Sequence, residues 1–474
     1  MRHKMLPLLL CLATLSACKL LKPVAPPTPA PPPASYGAKG DSTQNSALNW
    51  RQVFTDPALT ALIDTALLRN IDRQMALVAI RQAEAELLRA RVPLAPQVQA
   101  IVSGSAERFG DYTMNGIGNF DLNRSSNVPP ERRVPNPVTD IYTGFRASWE
   151  IDMWGRLKAQ RNSANARLLA GVEGEQWLRT NLVAGVATFY YELLALDAEI
   201  LIAEQNIALQ ERALEVVEAQ KSAGRATELA VQQFRAQIFN TRALLFGLRQ
   251  RVQITENGLR LLLARYDGPI GRGQALTQQA LPPRLQSGLP AQLLSNRPDV
   301  RQAQQLLAAA NAEVYAARAA MLPNFTITPY VGVQAFRAAV LLAPESAALG
   351  LLGGLSAPVF NRRALIANRN ASLAAEQNAL LYYQRSLIGA FTEVHNELQQ
   401  FDNLKNAYPL KQAEVSALQK AVEASNDLYA SGYANYLEVI TAQRSALAAS
   451  MELQELRKSQ FFNLINLYRA LGGG

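Results

Sequence analysis

Histidine and cysteine are the residues best suited to nucleophilic or metal chemistry, and the chain has two of each: His3, His395, Cys11 and Cys18. Once the N-terminal segment is set aside, too few remain for a disulfide framework, a Cys/His zinc site or a Cys–His dyad. His395 lies in a helical pattern, Phe391-Thr392-Glu393-Val394-His395-Asn396-Glu397, and reads as a structural or solvated histidine. No Ser-His-Asp arrangement forms around it, and no inward carboxylate pair suggests hydrolysis. The sequence predicts no enzyme, no catalytic residue, no metal ligand and no cofactor. Cys18 is the one thiol set up for chemistry. It follows Leu15-Ser16-Ala17, and small residues before a cysteine suit a cleavage that leaves that thiol at a new N-terminus.

The elements around Cys18 fit that role. Residues 1–17 read as a signal peptide, with a basic start (Arg2, Lys4) and a short apolar stretch from Leu6 to Leu15. That stretch is too short to span a bilayer. Leu15 to Cys18 resembles the bacterial lipobox, in which the cysteine takes a diacylglycerol and the freed amine a third chain. Several acyl chains make a stable anchor, each buried CH₂ contributing about 0.8 kcal/mol. An ordinary secretory signal with an incidental cysteine is the alternative. Lys19, rather than Asp, follows the cysteine, which by resemblance to lipoprotein sorting points to the outer membrane. Residues 18–49 then read as the lipid anchor and a Pro-rich, polyproline-type linker.

The remaining chain has ample apolar content, 49% of its 474 residues, and few charges, 18%. A net charge of +9 falls to +7 without Arg2 and Lys4, and the cations are scattered. A dispersed solvated surface fits this better than a nucleic-acid site. From Asn181 to Ala223, apolar residues recur at Val186, Phe189, Leu193, Leu196, Ile200, Ala203, Ile207, Leu214 and Val217. Steps of three and four over this length predict a coiled-coil seam. Extended back to Arg156, the helix has about 65 residues and a length of roughly 100 Å. Gly224-Arg225-Ala226-Thr227 reads as a turn before a second helix from Glu228 to about Tyr266. The layout returns with seams at Leu387, Phe391, Val394, Leu398 and at Val415, Leu418, Val422. A turn at Gly432-Tyr433-Ala434-Asn435 and a closing helix from Tyr436 to Leu471 follow. Pro409 is expected to kink or interrupt the helix between these seams.

Alternation at a period of two predicts strands at about 139–153 and 323–335, with weaker candidates at 97–108 and 348–359. In the first, Ile141, Phe145, Ala147, Trp149 and Ile151 face one way, and Asp140, Tyr142, Arg146, Ser148 and Glu150 the other. Such two-faced strands suit a membrane barrel, with a small soluble sheet as the alternative. Pro329 within a strand argues against closure. Four strands cannot close a barrel, which needs about eight, whereas three chains supply twelve.

The halves repeat. Asp72, Ala85-Glu86 and Pro96 match Asp299, Ala312-Glu313 and Pro323 at an offset of 227, and Gly224, Ala226 and Leu229 match Gly432, Ala434 and Leu437 at 208. A first repeat over 50–270 carries a hairpin tip near 222–227, and a second over 271–474 carries one near 430–435. Each reads helix, helix, two strands, long helix, turn, long helix.

This order, together with Trp50-Arg51-Gln52-Val53-Phe54-Thr55-Asp56-Pro57, Trp149 to Arg156, Leu289 to Val300 and Gly432 to Arg444, resembles the TolC-type outer-membrane efflux factors in their lipoprotein (OprM/NodT-like) branch. The resemblance implies a mainly α fold with a membrane β-barrel. A homotrimer would close a twelve-stranded barrel over a long coiled-coil α-helical barrel. It implies a passive exit duct in the outer membrane that carries small molecules from an inner-membrane pump, of the resistance-nodulation-division (RND) type, through a periplasmic adaptor. Acidic positions after the second turn would line a periplasmic aperture. Here they hold Glu438 and Thr441, flanked by Leu437 and Ile440, and the position after the first turn is Ala230. Thr441 and Ala230 depart from the family's acids, which shifts closure toward helix packing. The turns Gly224 to Thr227 and Gly432 to Asn435 are the expected adaptor-docking tips. A lipid-anchored periplasmic coiled-coil scaffold is the alternative from another functional class.

Overall fold

The computed structural model describes residues 49–281, 296–358 and 360–473. The signal peptide, Cys18, the Pro-rich linker and the stretch Leu289 to Ser295 lie outside the described residues. So does most of the second-half counterpart of the helix that starts at Pro57. In chain order the elements are α1 (Trp50–Val53), α2 (Pro57–Arg69), α3 (Ile71–Arg91), β1 (Gln97–Glu107), α4 (Met114–Arg124), β2 (Val138–Ile151), α5 (Arg156–Ser222), α6 (Glu228–Leu262), α7 (Pro298–Ala319), β3 (Asn324–Ala335), β4 (Ala347–Ser356), α8 (Arg362–Ala430) and α9 (Tyr436–Ala470). No helix among the described residues is long and apolar enough to cross a membrane.

The chain forms two compact units, and each draws on both halves of the sequence. The first contains Gln82–Leu168 and Gln305–Leu380. The second contains the described residues of 28–81, 169–304 and 381–474.

The first unit carries one antiparallel sheet in the order β1-β2-β3-β4. Both strand pairs thus belong to one continuous ladder. Pro329 sits inside it, in β3, paired with Leu351 of β4. The β2–β3 register passes from Arg146–Tyr330 to Trp149–Ile327 without pairing Ala147 and Ser148 to Pro329 and Thr328. The sheet accepts the missing N–H by a local gap on one side, so Pro329 needs no free edge. The long β1–β2 connection contains α4, whose first turn is capped by Thr113 accepting from the Gly116 N–H at 3.1 Å. Where β2 passes into α5, Asp152 accepts from the N–H groups of Leu157 and Lys158 at 3.0 and 2.8 Å. Arg156 donates to both oxygens of Glu150 at 2.7 Å. Gly155 takes φ +72°, and Trp154 ties the turn down through its indole N–H on the Pro323 carbonyl at 2.6 Å.

The second unit has its main core where Phe54, Leu59 and Ile63 meet Val186, Tyr190 and Leu193 of α5 and Phe461, Ile465 and Tyr468 of α9. Val186 and Leu193 are heptad positions predicted on α5, whereas Tyr190 lies off that seam. Asp56 begins α2 by accepting from the Ala58 N–H at 2.8 Å, and its other oxygen accepts from the Tyr190 hydroxyl at 2.7 Å. Burial, then the hydrogen bond to Asp56, pushes the Tyr190 phenol well above its ordinary value. α8 runs through Pro409 without a break, which corrects the expected interruption. Both Pro409 and Lys405, whose carbonyl loses its helical partner, are exposed, so water can satisfy that oxygen.

Candidate functional site

Two regions bear on function, and each is described within its own unit. The first is the pair of hairpin tips in the second unit. α5 ends in a Schellman motif: the Gly224 N–H donates to the Lys221 carbonyl at 2.9 Å and the Arg225 N–H to Gln220 at 2.8 Å. α8 ends the same way, with Gly432 donating to Tyr429 at 3.1 Å and Tyr433 to Leu428 at 2.8 Å. Both glycines are left-handed, at φ +72° and +80°, which is why glycine stands at each turn. Thr227 caps α6 by accepting from the Ala230 N–H at 3.3 Å. Asn435 caps α9 by accepting from Leu437 and Glu438 at 2.9 and 3.2 Å. Ala226 and Ala434 are half-buried, and the other six tip residues are exposed.

Behind the turns one apolar cluster joins the two hairpins: Val217, Ala230, Val231, Phe234, Val439 and Ile440, with Tyr429 and Tyr436 packed on it. Of the four residues expected at an aperture, Leu437, Glu438 and Thr441 share an exposed face and line a shallow groove with Leu418, Asn435, Ala442 and Ser445. Ile440 points the other way, buried in the cluster. Ala230 is fully buried there as well, so an acid at that position would be desolvated in this arrangement. The Glu438 carboxylate is held against its own cap, accepting from the Asn435 amide at 3.0 Å.

A charged ladder along the first hairpin escaped the sequence reading. Arg235, Arg242 and Arg249 of α6 pair with Glu218, Glu211 and Glu204 of α5 at 2.8, 2.6 and 3.1 Å. Seven residues separate successive members on each strand of this ladder, in opposite chain directions, so an antiparallel pair of heptad repeats brings them together. The matched seven-residue spacing of arginine and glutamate was the available signal. At the tip Lys221 pairs with Glu228. Hydrogen bonds from Gln232 and Lys221 lower the Glu228 carboxyl below its ordinary value. The positions 208 residues later are Gln443, Ser450 and Arg457 against Asn426, Gln419 and Gln412, so the second hairpin has no such ladder.

The second region is the sheet. Paired residues share a face, and the register extends the two-faced pattern over all four strands. Val98, Ala147, Ile327 and Leu351 lie on one side with Phe145, Val331 and Leu349. Gln99, Arg146, Tyr330, Tyr142 and Gln334 lie on the other. Phe145, Val331, Leu349, Leu351 and Leu355 are each more than half exposed, forming an apolar face without cover. β1 and β4 are open edges within one chain. No group of acidic, histidine or cysteine residues capable of holding a metal occurs among the described residues. His395 stacks on Phe391, with ring centroids 6.1 Å apart.

The family model described as outer membrane efflux protein matches residues 62–265 and 289–473. The pyoverdine export outer membrane protein OpmQ of Pseudomonas aeruginosa is 32% identical over 477 residues, covering 98% of this chain and 96% of OpmQ. The cation efflux system protein CusC of Escherichia coli K12 is 29% identical, with 99% of each chain covered. A solved structure of CusC superposes with a TM-score of 0.82 at 28% identity, covering 96% of this chain and 100% of that one.

Proposed function

The chain belongs to the outer membrane efflux protein family, and from that premise we propose that it is the outer-membrane duct of a tripartite pump. As a family member it is a non-catalytic efflux channel protein of the outer membrane, built from long helices and a four-stranded antiparallel sheet. Three copies close a twelve-stranded barrel. Residues 1–17 are removed, Cys18 takes the lipid, and the Pro-rich linker leads away from it. The first and second repeats, 50–270 and 271–474, each give two strands and one hairpin per copy. The hairpin tips receive a periplasmic adaptor, and an RND-type pump in the inner membrane supplies the energy. The aperture forms at Leu437, Glu438 and Thr441, with Ile440 supporting it from behind. OpmQ is named for pyoverdine and CusC for cations. Family members thus serve different cargoes, and the first choice of cargo falls to the pump.

The observation that carries this reading is the sheet. Its register gathers apolar residues on one face and polar residues on the other, with unpaired edges at β1 and β4. An open sheet cannot sit in lipid, because its edge N–H and C=O groups would go unpaired, whereas closure among copies pairs them.

Cys18→Ser tests it. The acyl anchor is lost, yet the protein remains a detergent-requiring trimer and conducts ions in a planar bilayer. A monomer soluble without detergent and silent in the bilayer would overturn the duct and favour a lipid-anchored scaffold.

A further inference from the structure

On the polar face of the sheet, one row crosses all four strands: Gln99 opposite Arg146, Arg146 opposite Tyr330, Tyr330 opposite Gly350. Arg146 is exposed and, among the described residues, has no ion-pair partner. The other charges on β2 in this face are already satisfied. Asp140 accepts from the Gln334 amide at 3.0 and 2.8 Å. Glu150 accepts from Arg156 at 2.7 Å on both oxygens. Asp140 lies six residues along β2 from Arg146 and Glu150 four, roughly 20 Å and 13 Å at the strand rise. Glu107, on the same face of β1, is eight residues beyond Gln99, roughly 27 Å. All exceed the screening length of about 8 Å at physiological salt.

The aromatic residues next to Arg146 lie against the sheet. A Cβ on Gly350 would fall 2.4 Å from the Tyr330 ring, and one on Gly144 would fall 2.9 Å from the Tyr142 hydroxyl. Tyr142 is buried and meets Tyr330 edge-on at 6.3 Å. The glycines let both rings settle against the backbone, which leaves the guanidinium as the projecting group of its row.

We propose that Arg146, with Gln99 opposite it on β1, is a binding site for anionic solutes, carboxylates above all, on the polar wall of the duct. This rests on the barrel reading, which turns that face inward and brings three copies of Arg146 to one level. A guanidinium matches a carboxylate with two parallel N–H donors, and Gln99 can add a third. The site therefore favours anionic passengers in the part of the duct formed by the sheet.

Charged thiol reagents test this in outer-membrane vesicles. Gln99→Cys is labelled with an anionic sulfonatoethyl and a cationic trimethylammonioethyl methanethiosulfonate, and labelling of the protein without Gln99→Cys is subtracted. With Arg146 present, the anionic reagent reacts faster. Arg146→Gln lowers the anion-to-cation rate ratio about tenfold, since a unit charge about 6 Å away in water shifts each reagent roughly threefold in opposite directions. Arg146→Lys keeps the preference and Arg146→Glu reverses it. An accessible Cys at position 99 whose ratio ignores Arg146→Gln and Arg146→Glu overturns the anion site alone. A thiol there that neither reagent reaches overturns the inward-facing wall, and the anion site with it.

Discussion

Arg297 does in the second half of the chain what Asn70 does in the first. Arg297 donates to the Ala470 carbonyl at the end of α9, at 2.9 Å. Asn70 donates to the Leu262 carbonyl at the end of α6, at 3.1 Å. Each sits just before a helix, α7 or α3, and each closes the C-terminal turn of the helix that ends its own half. The offsets are those of the sequence: 227 from Asn70 to Arg297, and 208 from Leu262 to Ala470. The two residues differ in what else they hold. Arg297 is buried and also binds Asp299 at 3.0 and 2.8 Å and Glu393 at 3.0 Å. The Asn296-Arg297-Pro298-Asp299 motif is thus a clamp within the second unit.

The two clamps differ in cost when removed. Arg297→Ala strands the carboxylates of Asp299 and Glu393 and frees a helix-end carbonyl, a loss of about 3 kcal/mol. Asn70→Ala removes one neutral contact to a carbonyl and one cap to the Arg73 N–H, about 1–2 kcal/mol. Arg297→Lys keeps the charge but not the bidentate geometry and falls between them. Thermal loss of helical circular dichroism in detergent ranks the three. Equal midpoints for Arg297→Ala and Asn70→Ala would remove the charged part of the clamp.

Ala264 follows α6 in the left-handed region, at φ +52°, where its second-half counterpart is Gly472 at φ +99°. The turn there is again a Schellman pair, Ala264 to Leu261 and Arg265 to Arg260, both at 3.1 Å. An alanine pays a steric cost in this conformation that glycine does not. Ala264→Gly is therefore stabilising by about 1 kcal/mol, and Gly432→Ala destabilising by a similar amount although nothing crowds its Cβ. The same melting measurement reads both signs.

What was legible in the sequence follows from period and punctuation. Heptad steps over Val186 to Val217 marked α5, and alternation over Asp140 to Ile151 marked β2, because a long buried stripe leaves no other pattern. Gly224 and Gly432 marked the turns because their φ requires glycine. Ala264 carried no mark, being an ordinary helix former forced into a glycine conformation by the turn around it. α4 was hidden by Gly116, Gly118 and three asparagines, which lower local helix propensity. Ile440 and Leu437 looked alike as apolar neighbours. Only the packing of both hairpins on one cluster separates the buried one from the exposed one. Pro409 does not end α8, since the cost of a proline depends on whether the orphaned carbonyl meets water.

The arginine–glutamate ladder makes the first hairpin salt-sensitive. Its pairs are about half exposed, so each contributes roughly 0.5 kcal/mol or less. Glu204→Gln, Glu211→Gln and Glu218→Gln together lower stability by about 1 kcal/mol at low salt. The difference disappears near 1 M salt, where the screening length is about 3 Å. Pairwise reversal, Arg242→Glu with Glu211→Arg, restores stability, which a loss of helix propensity alone would not do. Melting curves at both ionic strengths distinguish these outcomes.

Glu199 lies buried on α5, 3.5 Å from Arg251, and burial raises its carboxyl above the ordinary value although Arg251 and Lys458 oppose the shift. The folded chain keeps this proton at pH values where the unfolded chain has already released it. Its contribution to stability is complete below about pH 4.3, the unfolded value, and is lost as pH rises through the raised folded one. Glu199→Gln cannot ionise, so the variant loses less stability between pH 4 and pH 8 than the unsubstituted protein does. Its removal orphans no cation, because Arg251 retains Glu192 at 2.8 Å and Lys458 retains Glu192 and Glu455 at 2.9 and 2.6 Å. Melting at pH 4 and pH 8 decides the sign. If Glu199→Gln is the less stable form at pH 8, attraction to Arg251 outweighs the burial of the charge, and the carboxylate is a net support of the helix pair.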